Sequence, residues 1–73
     1  MSNQSKKDSA VSGSVLEALP NAFFKVARDD TKEEILTYLS GKMRLHRIRV
    51  LIGDRVLVEI DPYGGKGRII KRL

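Results

Sequence analysis

Cysteine and tryptophan are both missing from the 73 residues, and only four aromatic side chains, two Phe and two Tyr, are present. Without cysteine there is no disulfide framework, no thiolate zinc site and no thiol nucleophile. A chain this short that forgoes such staples holds together by packing alone or gains stability from a partner. The single histidine, His46, cannot make a metal site by itself, and no second ligand stands three or four residues from it. No Ser/His/Asp set has a telling spacing. The longest apolar runs are only a few residues, too short for a membrane span, and the start MSNQSKKDS lacks the apolar core of a signal peptide. The expectation is therefore a soluble intracellular protein with one domain, one modest core, and no metal or cofactor.

What the chain does have is positive charge, and it is unevenly placed. The net charge is +5, but residues 1–39 carry five Lys/Arg against six Asp/Glu, a balance of −1. Residues 40–73 carry nine cations against three acids, a balance of +6. Such a field favours a polyanion. An anionic membrane is the weaker choice, because no long amphipathic helix with a bulky apolar face is visible. Within residues 40–73, arginine outnumbers lysine six to three, and arginine is preferred where bidentate phosphate contact or stacking is needed. Nucleic acid is the expected partner.

Along the chain, residues 1–9 read as a flexible polar tail and residues 10–73 as one domain. Val11 to Leu19 alternates loosely, with Gly13 suited to a bend or bulge. Pro20-Asn21 signals a turn, and a second strand starts near Ala22, with Phe24 and Val26 on one face and Phe23 and Lys25 on the other. A charged hairpin loop, Arg28 to Glu33, leads to a third strand over Glu34–Leu39. Ser40 is placed to cap a short helical turn from Lys42 to Arg47. A fourth strand is expected from Val50 to Ile60 with a kink at Gly53-Asp54, Val56, Val58 and Ile60 sharing its inner face. A glycine-rich loop then leads to a last strand from Arg68. Met43, Leu45, Ile48, Val50, Leu51, Ile52 and Val56, interleaved with cations, read as core. The pattern points to an all-β fold, best fitted by a five-stranded oligonucleotide-binding (OB) barrel with one short helical turn after strand 3. An SH3-like barrel satisfies the same pattern.

The loop Gly64-Gly65-Lys66-Gly67-Arg68 has neither the spacing nor the following helix of a nucleotide-triphosphate cradle, so glycine serves there for backbone freedom. Asp29, Asp30, Glu33 and Glu34 cluster in a hairpin, where solvation explains them, and no enzyme is expected. The cations Lys42, Arg44, Arg47, Arg49, Arg55, Lys66, Arg68, Lys71 and Arg72 are the candidates for phosphate contact. His46 is placed to hydrogen-bond or stack on a base. Tyr63, Tyr38 and Phe23 are the aromatics expected outside the core. Tyr63, in a loop between basic segments, can stack on a base or cover the barrel end.

Taken together, Gly13-Ser14-Val15-Leu16-Glu17-Ala18-Leu19-Pro20-Asn21-Ala22-Phe23-Phe24-Lys25-Val26, Ser40-Gly41-Lys42-Met43-Arg44, Ile48-Arg49-Val50-Leu51, Gly53-Asp54-Arg55-Val56, Pro62-Tyr63 and Lys66-Gly67-Arg68-Ile69 resemble bacterial-type translation initiation factor one. The resemblance spans residues 10 to 73. It implies an OB barrel that binds the small ribosomal subunit at the decoding A site. There it would contact the rRNA of the decoding region and a neighbouring ribosomal protein, act with the two other initiation factors, and keep elongator tRNA out. Carried over by position, the rRNA contacts are Lys42, Arg44, Arg49, Arg55, Tyr63, Lys66, Arg68 and Arg72; His46 and Arg47 join them on this chain's own chemistry. Arg47 stands where the family often has tyrosine, and Leu45-His46 replaces a commonly more polar or basic pair. The expected setting is a monomer in the bacterial cytoplasm, with a plastid stroma equally compatible. The alternatives are a cold-shock-type single-stranded RNA chaperone, for which four aromatics are few, and a structural ribosomal protein.

Overall fold

The computed structural model describes residues 10–60 and 66–73. The expected tail, and Tyr63 with its glycine loop, lie outside the described residues. Among the described residues, five strands and one short helix follow in order: β1 (Ala10–Ala18), β2 (Phe23–Arg28), β3 (Glu34–Leu39), α1 (Gly41–Leu45), β4 (Arg55–Ile60) and β5 (Gly67–Arg72). They close into a barrel with strand order β1-β2-β3-β5-β4, β4 returning to β1. Every pairing is antiparallel except β3 with β5. This closed five-stranded arrangement, with its helix between β3 and β4, is the OB topology, and closure pairs each of the five strands on both sides.

Period-two alternation makes the core. Val26 of β2, Val56 and Val58 of β4, and Ile69 of β5 are fully buried, joined by Val15, Val50 and Met43 from α1. Burying each such side chain stabilises the fold by roughly 1.5–3 kcal/mol. Phe24, Ile35, Leu39, Ile48 and Ile60 pack around them. Thr37 is the buried polar exception on β3, and its hydroxyl donates to the Phe24 carbonyl at 2.8 Å, so its hydrogen-bonding capacity is used.

Three expectations change. Gly13 is not the bulge: the β1–β2 register shifts between Val15 and Glu17, which makes Leu16 the extra residue. Gly13 is instead a point of close approach, because a Cβ there would lie 2.6 Å from both the Ala27 carbonyl oxygen and Val26 Cγ1. The fourth strand begins at Arg55, not Val50; residues 51–54 form a turn with Gly53 at φ 95°. Finally, only part of the apolar set in residues 40–56 is core. Met43, Val50 and Val56 are buried and Ile48 is half-buried, whereas Leu45, Leu51 and Ile52 are exposed. Alternation assigns faces within a strand, and this segment is helix, connector and turn before it becomes strand.

Candidate nucleic-acid interface

The short helix is specified at both ends by local chemistry. Ser40 caps α1 as expected, its Oγ accepting from the Met43 N–H at 3.2 Å. The C-terminus closes earlier than expected, through a Schellman motif. The Ile48 N–H donates to the Met43 carbonyl at 3.0 Å, and the Arg47 N–H to the Arg44 carbonyl at 3.1 Å. Arg47 takes the left-handed position of that motif, at φ 54°, where glycine is usual. Met43 is the anchor that buries the helix. Lys42, Arg44, His46, Arg47 and Arg49 are all exposed around it.

These cations differ in kind from Lys25, Arg28, Arg55 and Arg68 on the strands. Arg55 is paired with Asp29, which also accepts from the Ser12 hydroxyl at 2.7 Å. Arg68 is paired with Glu59 across the β4–β5 ladder, and hydrogen bonding to that carboxylate raises the guanidinium pKa above its ordinary value. Lys25 lies between Glu17 and Glu34, at 3.6 and 3.8 Å. Arg28 chelates Asp30 through Nε and Nη2; that hydrogen-bonded pair raises the arginine and holds the Asp30 carboxyl below its usual range. Lys42, Arg44, Arg47, Arg49, Lys66, Lys71 and Arg72 have no carboxylate partner among the described residues. Apart from Lys32 in the β2–β3 turn, the uncompensated positive charge of the described residues is thus concentrated on α1, its connector and β5.

One small pocket, of about 230 Å³, opens beside the helix. Asn21, Ala22, Phe23, Tyr38, Leu39 and Arg44 line it. It forms because Phe23 and Tyr38 are directly paired across β2 and β3 on the outer face, and the Pro20-Asn21 turn lifts the chain at its rim. Arg68 continues the same row on β5, opposite Tyr38. The Lys66 ammonium stands 5.4 Å from the centre of the Phe23 ring, within cation–π range.

The structure therefore brings together Arg44, Lys66 and Arg68 around Phe23 and Tyr38. It also joins Arg49 to Arg72, whose Nη1 donates to the Arg49 carbonyl at 3.0 Å. Arg55, at the opposite end of β4 from Glu59, belongs to neither group. Phe23 and Tyr38 were expected outside the core but not among the binding residues. Their pairing follows from the β2–β3 register, which no local pattern displays; hairpin loop length was the one available signal. Among the described residues no group of three or more His, Asp or Glu is placed to hold a metal, and no helix is long and apolar enough to cross a membrane.

A closed OB barrel with a cationic helix beside paired outer-face aromatics defines an RNA-binding module of the OB class. The family model of translation initiation factor 1A / IF-1 matches residues 1–73. The chain belongs to the translation initiation factor 1A / IF-1 family. It is similar to translation initiation factor one from the Wolbachia endosymbiont strain TRS of Brugia malayi, at 45% identity and a TM-score of 0.73, over 100% of this chain and 88% of that one. It is also similar to part of YjeQ from Thermotoga maritima, at 33% identity and a TM-score of 0.76, over 88% of this chain; the match spans only 22% of YjeQ. YloQ, a circularly permuted GTPase, shares the fold at 23% identity and a TM-score of 0.75, over 88% of this chain and 22% of its own. The barrel is thus found both as a nearly whole initiation factor and as a small part of larger chains.

Proposed function

We propose that the chain works as a translation initiation factor by occupying the decoding A site of the small ribosomal subunit. It contacts rRNA there and blocks elongator tRNA while the two other initiation factors act. Family membership supports the first half of this reading. The observation that carries the second half is the separation of cations into an ion-paired set, Lys25, Arg28, Arg55 and Arg68, and an uncompensated set on α1, its connector and the end of β5. A cation already held by a carboxylate gains little from phosphate, whereas Lys42, Arg44, Arg47 and Arg49 meet phosphate without first breaking a pair. Lys66 and Arg72 extend that surface and His46 and Tyr63 complete it; Arg55 and Arg68, the remaining expected rRNA contacts, are held by Asp29 and Glu59 and reach phosphate only when those pairs open. The neighbouring ribosomal protein of the A site is the remaining contact. Steric occupation needs no chemistry from the protein, so the mechanism is binding alone. We place it in the bacterial cytoplasm or an equivalent plastid compartment, acting as a monomer whose domain begins near residue 10.

Sedimentation tests this. The protein is expected to travel with free small subunits and to be lost from translating ribosomes. Equal retention on both would make it a structural ribosomal protein, and equal affinity for arbitrary single-stranded RNA would make it a chaperone of the cold-shock type. Arg44→Ala is expected to weaken small-subunit binding by about 1–3 kcal/mol, with the thermal unfolding midpoint unchanged. Binding at the parental level in moderate salt would remove Arg44 from the interface.

A further inference from the structure

Four of the large apolar side chains left in solvent gather at one end of the barrel: Leu16, Leu51, Ile52 and Leu73, at 42, 58, 65 and 58% exposure. Backbone hydrogen bonds bring them there. The Gly53 N–H donates to the Val15 carbonyl at 2.8 Å and the Val15 N–H to the Asp54 carbonyl at 2.9 Å, which seats the 51–54 turn against the bulge that turns Leu16 outward. The Leu73 N–H donates to the Arg55 carbonyl at 2.8 Å, adding the end of β5 to the same place. Within the turn the Asp54 N–H donates to the Leu51 carbonyl at 3.0 Å, and Asp54 Oδ2 accepts from the Leu51 N–H at 2.9 Å. Gly53, at φ 95°, supplies the positive angle that such a turn needs at its third residue. A branched aliphatic residue at a turn tip has no local purpose, since turns favour Gly, Pro, Asn, Asp and Ser. Ile52 is therefore presented outward on a hydrogen-bonded turn with no packing of its own to explain it.

The charges around this end are also unequal. Its acids are engaged: Asp54 holds the turn, and Glu17 is beside Lys25 at 3.6 Å. Of its cations, Arg55 is paired with Asp29, whereas Arg49 and Arg72 have no carboxylate partner among the described residues and are tied to each other only through the Arg49 carbonyl. We infer that this end of the barrel is a docking surface for a protein partner, and that the partner offers an acidic amphipathic segment, aliphatic in the middle and carboxylate-flanked. The proposal goes beyond rRNA binding: Leu16, Leu51, Ile52 and Leu73 have no part in it, and Arg49 and Arg72, joined through the Arg49 carbonyl, stand on the border that the two surfaces share. Charge complementarity selects the occupant. A second copy would set Arg49 and Arg72 against their own kind on a chain of net charge +5. RNA would satisfy the two arginines but bury four aliphatic side chains against a polar backbone, with little gain. An acidic amphipathic segment satisfies both, and the pinned turn means little conformational freedom is lost on binding.

The test is a titration of the full isotope-labelled chain with a synthetic amphipathic helix, leucines on one face and glutamates on the other. The expected result is saturable binding, with amide shifts confined to residues 15–17, 49–54 and 71–73. Leu51→Ser with Ile52→Ser is expected to weaken it at least about tenfold, as is Leu16→Ser alone to a smaller degree. The same double variant should bind free small subunits like the parent, which separates this surface from the rRNA interface. Four results overturn the proposal. They are no binding, equal binding of a control peptide with serine in place of leucine, shifts centred on Phe23, Tyr38 and Arg44 instead, or a concentration-dependent dimer of the chain that the double variant abolishes.

Discussion

Arg47 combines a strained backbone with a useful charge. It closes the Schellman motif of α1 in the left-handed conformation, at φ 54°, which costs a residue with a Cβ about 1–2 kcal/mol. Glycine takes that angle freely but loses more entropy on folding. Arg47→Gly is therefore expected to raise stability by about 0.5–1 kcal/mol, read as a higher urea midpoint with an unchanged slope. On the proposed interface the same substitution removes a phosphate contact and should weaken small-subunit binding. Stability and affinity moving in opposite directions would show that the arginine is retained for binding against the preference of the helix end. If both rise, Arg47 contributes nothing to the interface. The exposed Leu45 beside it, 77% accessible, is a second departure from what the helix alone would choose, and the structure gives no reason for it.

At the scale of elements, β1 and β2 approach more closely around Gly13 than any side chain there would allow. Gly13→Ala would press a methyl group onto the Ala27 carbonyl oxygen, a rigid backbone atom, and is expected to cost about 3 kcal/mol, seen as a large drop in thermal midpoint. The β2–β3 hairpin carries its own titratable clamp. Because the Asp30 carboxyl is held below its usual range by Arg28, its contribution to stability is full above the unfolded value near 3.9 and is lost as the pH falls through the lower folded value. Asp30→Asn should therefore lower the urea midpoint at pH 7 and make no difference once the pH lies below the folded-state value. A constant difference across that range would assign the effect to something other than this ion pair. These elements also show what the sequence could reveal. The third strand, the inner face of Val56 and Val58, and the Ser40 cap were readable because each depends on neighbours two to four residues away. The cations of the proposed interface are exposed, as their charge and arginine content led one to expect, but their contacts are a proposal. The exposure of Leu51 and Ile52 was not readable, because they lie in a turn where strand alternation does not apply, and the function of Gly13 and the Phe23–Tyr38 pair were not, because each depends on a partner strand. Which cations are already neutralised was hidden for the same reason: Asp29 and Arg55 are 26 residues apart and meet only when the barrel closes.

For the whole molecule, the net charge of +5 says less about binding than its distribution does. If total charge alone set affinity for rRNA, removing any one carboxylate would help equally, through the same long-range field. Two acids permit a direct comparison, since each holds one arginine. Glu59 holds Arg68, which shares an outer row with Tyr38 and Phe23 beside the uncompensated helix. Asp29 holds Arg55, which opens β4 away from that row and is further tied into a network with Ser12. Glu59→Gln and Asp29→Asn each raise the net charge by one and each release one arginine. Glu59→Gln is expected to tighten small-subunit binding and to steepen its dependence on salt by nearly one unit in the log–log slope, as an added phosphate contact requires. Asp29→Asn is expected to tighten it less, with a smaller change in slope, and to lower stability through loss of the Ser12 and Arg55 hydrogen bonds. Equal tightening by the two would mean that the barrel is recognised as a diffuse positive body. A larger effect of Asp29→Asn would move the rRNA-facing surface to the Arg55 side. The predicted order, Glu59→Gln above Asp29→Asn, follows only if the partner reads the row that runs from Phe23 through Tyr38 to Arg68.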